Sequence, residues 1–92
     1  MEAYSMHITG RVQGVGFRYF TLNGALKLGL EGWVKNMADG SVLVHVRGPV
    51  DKLDLFRAHV RKGPVFGRVD DLIETPLTAQ HTTRFDGFQV AY

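Results

Sequence analysis

Residues 12–18 read Val12-Gln13-Gly14-Val15-Gly16-Phe17-Arg18, a run in which two glycines and an arginine could together hold an anion. Glycine adopts positive φ at no steric cost, so successive backbone N–H groups can converge on one point as a concave nest for negative charge. A helix starting at the end of such a loop adds its unsatisfied N-terminal N–H groups and the positive end of its dipole. Arg18 stands at that junction, where its planar guanidinium can fork two N–H donors onto phosphate oxygens. Together these features describe a phosphate cradle. It is not a nucleotide P-loop, because no Lys-Ser or Lys-Thr pair follows the last glycine, and no third glycine completes G-x-G-x-x-G.

A second candidate is Asn36, at the end of Gly32-Trp33-Val34-Lys35-Asn36. Arg18 to Gly29 is eleven residues, which as helix carries the chain roughly 16 Å from the loop at ~1.5 Å per residue. Glu31 to Asn36 is five residues, which as strand returns about 16–17 Å at ~3.3 Å each. Asn36 is therefore expected level with the cradle. It shares parity with Gly32 and Val34, opposite Trp33 and Lys35, so its face depends on register. A local hydrogen bond before a turn is the competing role for such an asparagine.

Other groupings carry less. His7, His45, His59 and His81 lack metal-ligand spacing and read as surface or cross-strand packing residues. Adjacent strand residues point to opposite faces, so Asp70 and Asp71 cannot jointly hold a metal. Ser41 either supports Asn36 or makes a turn hydrogen bond. Trp33 and Phe17 read as core rather than as ligand platforms.

The elements that must position these residues follow from periodicity. Residues 4–12 alternate, with Tyr4, Met6, Ile8 and Val12 on one side, as a strand with one buried face does. From Tyr19 to Leu28 the spacing is helical, with Leu22, Ala25 and Leu26 on one face and Gly29 placed as a C-terminal cap. Gly24 inside this helix costs ~1 kcal/mol relative to alanine, and close packing is the only reason the sequence offers for it. Gly32–Met37 and Ser41–Arg47 read as strands joined by Asp39-Gly40, a hairpin signal. Val42, Val44 and Val46 face inward. A second helix lies between Gly48-Pro49 and Gly63-Pro64, with Leu53, Phe56 and Val60 as its core stripe. A strand around Val69–Glu74 and a last one ending Phe88-Gln89-Val90-Ala91-Tyr92 complete the chain. The order predicts an α+β, ferredoxin-like βαββαβ sandwich: an antiparallel sheet, two helices on one face, and a short extra C-terminal strand.

The chain has 92 residues, 45% hydrophobic and 22% charged, which fits a single domain over residues 1–92 with one core. Without cysteine there is neither a disulfide nor thiolate chemistry. No apolar signal region and no stretch of ~20 apolar residues is present, so a cytoplasmic protein without a membrane partner is expected. The net charge is +2, and the densest basic set, Arg57, Arg61 and Lys62, reads as a solvated helix face. Interleaved aromatics, which a nucleic-acid surface would show, are missing.

Taken as blocks, Gly10-Arg11-Val12-Gln13-Gly14-Val15-Gly16-Phe17-Arg18-Tyr19-Phe20 and Gly32-Trp33-Val34-Lys35-Asn36, followed by Asp39-Gly40-Ser41-Val42, resemble the two signatures of the acylphosphatase family. The resemblance covers essentially the whole chain, including Gly48-Pro49 and the aromatic C-terminus. Thr78–Thr83 falls outside the signature, and Gly24 replaces a usually bulkier residue. The resemblance implies hydrolysis of small acyl phosphates to carboxylate and inorganic phosphate, with no metal and no cofactor. It gives phosphate binding to Arg18 and the backbone from Gln13 to Arg18 (Gln13, Gly14, Val15, Gly16, Phe17). Asn36 is implied to position the attacking water, and a monomer is the expected state. Two alternatives stand beside it. One is a non-catalytic, regulatory phosphate-binding module; the other is a domain handling carbamoyl phosphate in a larger assembly, against which the length of the chain argues.

Overall fold

Alternating apolar residues build one buried sheet face, and two helices cover it. In the computed structural model, which describes residues 1–78, 80 and 85–92, the elements are β1 (Glu2–Arg11), α1 (Phe17–Lys27), β2 (Glu31–Asn36), β3 (Val42–Gly48), α2 (Val50–Lys62), β4 (Arg68–Pro76) and β5 (Phe88–Ala91). His81 and most of the polar segment Thr78–Thr83 lie outside the described residues. The strand order is β4-β1-β3-β2-β5. β1 is antiparallel to β3 and β4, and β2 is antiparallel to β3. β5, however, pairs parallel to β2, so the sheet is mixed rather than antiparallel throughout. The chain reverses direction after β4, and the edge it joins, β2, already runs in that new direction.

Met6, Ile8, Val34, Val42, Val44 and Val46 from the sheet are fully buried against Leu53, Phe56 and Val60 of α2. The even-numbered strand residues thus face the helices, as their alternation predicts. Odd-numbered residues take the other face, and this moves Trp33 out of the core. Its indole is only partly buried and lies against the His45 ring, 4.1 Å between centroids.

Helix α1 also departs from expectation. Its buried residues are Phe17, Thr21, Gly24 and Ala25; Leu22 is partly buried and Leu26 is 55% exposed. The stripe is built from small residues because α2 comes close. A Cβ at Gly24 would stand 2.3 Å from His59 Cδ2, so the close packing that the glycine suggested is real. The His59 ring stacks on Phe20 at 3.9 Å, and its Nε2–H donates to the Phe20 carbonyl at 2.8 Å. Among the described residues, no helix is long and apolar enough to cross a membrane.

Candidate functional site

β1 ends at Arg11 and α1 begins at Phe17, two residues before the predicted start at Tyr19. Arg18 therefore lies in the first helical turn. Buried Val12 anchors the connection to the core. Gly14 and Gly16 then take φ of 75° and 78°, and a Cβ at either would meet nothing within 4 Å among the described residues. What glycine supplies here is backbone conformation, not room. Gly16 is the N-cap of α1, and among the described residues no side chain caps the helix. The first bond in the helix runs from Phe20 N–H to Gly16 O, at 3.0 Å, which leaves the N–H groups of Phe17, Arg18 and Tyr19 without an intrahelical partner. No acidic residue occupies the first turn, so the positive end of the helix is not neutralised from within.

These groups line a cleft of about 160 Å³ formed by Val12, Gly14, Gly16, Phe17, Arg18, Tyr19 and Asn36. The strand arithmetic was correct: β2 returns Asn36 to the level of the cradle. Register decides its face. Asn36 shares the helix side with Gly32 and Val34, both buried, and is paired with Val42. Among the described residues its Oδ1 is buried with no hydrogen-bond partner. A buried acceptor left in that condition costs about 1–3 kcal/mol.

Among the described residues, Arg18 makes no ion pair with a carboxylate. Its guanidinium lies over the Tyr92 ring, 5.0 Å from the centroid. The Tyr92 hydroxyl is 3.3 Å from that of Tyr19, and this hydrogen bond raises the Tyr92 phenol above its ordinary pKa of 10.0. A larger hollow of about 540 Å³ lies elsewhere, among Met1, Tyr4, Arg47 and Pro76. Its arginine is already bonded to Glu31, so it offers no comparable free cation. Nor do three or more His, Asp or Glu side chains gather anywhere among the described residues in a way that could hold a metal ion.

The predicted loop residues Gln13, Gly14, Val15, Gly16, Phe17 and Arg18 are contiguous here, but their side chains diverge. Phe17 turns into the core and Val15 packs against it. The Gln13 side chain leaves the loop, and its Nε2 donates to Met37 O at 2.7 Å and Ser41 O at 2.9 Å. Ser41 makes the turn bond rather than contacting Asn36. Its Oγ–H and backbone N–H donate to Asp39 Oδ1 at 2.5 and 2.9 Å, which holds the Asp39 carboxyl below its ordinary 3.8. With that hydroxyl hydrogen used, His7 Nε2–H is the donor to Ser41 Oγ, at 2.9 Å. Sequence reasoning missed the Gln13 side chain and the place of Tyr19 in the cleft. The acceptors of Gln13 are backbone carbonyls 24 and 28 residues away, and no residue type announces those.

The acylphosphatase family model matches residues 4–90. The chain is 41% identical to an acylphosphatase of Oceanobacillus iheyensis over the full length of both proteins. It is 49% identical to an acylphosphatase of Nitrobacter hamburgensis over 72 residues, covering 78% of this chain and 73% of the relative. The crystal structure of acylphosphatase from Bacillus subtilis superposes with a TM-score of 0.93 at 39% identity, covering 100% of both chains. With fold, length and both sequence blocks in agreement, the chain belongs to the acylphosphatase family, hydrolases that act on acid anhydrides.

Proposed function

We propose that the cleft binds the phosphate end of a small acyl phosphate and hydrolyses it by attack of a water that Asn36 holds. The observation that carries this reading is the meeting of three things in one small cleft: the uncapped start of α1, Arg18 and Asn36. The cradle amides and Arg18 bind the phosphoryl oxygens and stabilise charge that builds on them during transfer. The Asn36 side-chain amide orients the water oxygen towards phosphorus, opposite the leaving group.

The substrate needs little more. An acyl phosphate is a mixed anhydride whose leaving group is a carboxylate, with a conjugate acid of pKa roughly 4. It departs as an anion near neutral pH without a general acid. Water adds its oxygen to phosphorus, the P–O bond to the carboxylate breaks, and the water proton passes to a phosphoryl oxygen. The products are carboxylate and inorganic phosphate, and no side chain need act as a base. A monomer acting in the cytoplasm, without nucleic-acid or membrane partners, completes the proposal.

Turnover of a small aromatic acyl phosphate by the purified protein tests it. Arg18→Ala should lower kcat/KM by about 10²–10³ and weaken competition by inorganic phosphate. Asn36→Ala should lower kcat by about 10² while phosphate still binds. The pH–rate profile should be broad; a steep limb assigned to one histidine overturns the base-free step. Normal activity in both variants overturns the site assignment.

A further inference from the structure

We propose that Gln13 is a positioning residue: its side-chain amide ties the phosphate cradle to the β2–β3 hairpin and so sets where Asn36 stands relative to bound phosphate. The proposal rests on the site assignment above. Arg18 belongs to α1 and Asn36 to β2, 18 residues apart in sequence. β2 does not pair with β1, because β3 lies between them. Neither the chain nor the sheet ladder joins the cradle directly to Asn36, yet attack on phosphorus tolerates little misplacement of the water.

Gln13 supplies the missing link. An amide NH2 carries two hydrogens, and here Nε2 gives one to Met37 O and one to Ser41 O, at 2.7 and 2.9 Å. These carbonyls flank the hairpin turn, and Met37 directly follows Asn36. Among the described residues, no other side-chain hydrogen bond joins residues 12–18 to residues 36–41. The reversed amide would set Oε1 against two carbonyl oxygens, so a donor is required. The hairpin has its own closure: Met37 N–H donates to Ser41 O at 2.9 Å and Gly40 N–H to Met37 O at 3.2 Å, while His7 holds Ser41 from β1. Loss of Gln13 therefore leaves the turn closed and removes its registration against the cradle.

The test uses the full chain with Gln13→Met, which keeps the length and removes both donors, and Gln13→Glu, which keeps the shape and offers only acceptors. Each is made in the parent and in Asn36→Ala, and kcat, KM and inhibition by inorganic phosphate are measured, with thermal melts to establish folding. Both Gln13 variants should lower kcat about tenfold and change phosphate inhibition by about twofold or less. In the Asn36→Ala background either variant should change kcat by less than about twofold, because the group it misplaces is already gone. An unchanged kcat in folded Gln13 variants overturns the proposal. So does an equal loss in both backgrounds, or phosphate binding weakened as much as kcat, which would make Gln13 a part of the cradle alone. If Asn36→Ala itself turns over normally, the underlying site reading has failed first; if only the Gln13 variants do, that reading stands without this link.

Discussion

Helices α1 and α2 enter the fold in opposite ways, although both follow a strand of the same sheet. Between β1 and α1 lie five residues, 12–16, whereas between β3 and α2 lies only Pro49. The longer connection has two glycines at positive φ and ends on an N-cap with no side-chain bond, with no acid in the first turn. The short one has a proline N-cap in extended conformation, and Asp51 in the first turn of α2. Asp51 places a negative charge at the positive end of its own helix. α1 lacks such a group and offers its start to the cleft. The faces differ as well: α2 buries Leu53, Phe56 and Val60, while α1 buries Thr21, Gly24 and Ala25 beside Phe17. The chain places two glycines at positive φ before α1 and keeps acids out of its first turn, and it does neither for α2.

The sharpest way to break this contrast is to give α1 what α2 has. Tyr19→Glu puts a carboxylate into the first turn of α1 and should weaken inorganic phosphate as a competitive inhibitor by roughly tenfold relative to Tyr19→Gln, which removes the ring without adding charge. The difference should shrink at high salt. Equal inhibition constants would show that the open helix end contributes nothing to binding.

The contrast of faces is tested at Gly24. Alanine should gain up to about 1 kcal/mol of helix propensity but must displace a His59 ring held by stacking and a hydrogen bond. Gly24→Ala should therefore destabilise the protein by about 1–2 kcal/mol net in denaturant melts. In a His59→Ala background the same change should become stabilising, by about 0.5–1 kcal/mol. Destabilisation that persists without His59 would show that α1 is held close by something else.

The smallest expected effect is at α2. Asp51→Asn should cost about 0.5 kcal/mol or less, as an exposed charge at a helix start does, with the loss reduced by salt and no change in kcat/KM. A measurable gain in phosphate binding at the start of α2 would mean that the acid alone, and not the glycine loop, separates the two helix ends.

Strand alternation was readable because one residue in two meets the core, and Met6, Ile8, Val42, Val44 and Val46 are where that pattern puts them. α2 was readable for the same reason, since its buried face carries its large residues. α1 was readable only in part: Ala25 is buried as its spacing predicted, but the rest of the face is Phe17, Thr21 and Gly24, and Leu26, which the spacing placed there, faces solvent. Trp33 misled by size, because position parity and not hydrophobicity assigned its face.

By itself, the sequence determined the glycine loop between β1 and α1. Two glycines and an arginine before a helix are local features, and their backbone conformations need no distant partner. It also determined the length of the excursion that returns Asn36 to that level, because helix rise and strand rise are nearly invariant. The tertiary structure alone decided three things: that Asn36 faces the helix side, that β5 joins β2 in parallel, and that Gln13 grips Met37 and Ser41. Each depends on backbone groups far apart in sequence meeting in a particular register, and a backbone carbonyl is the same in every residue type.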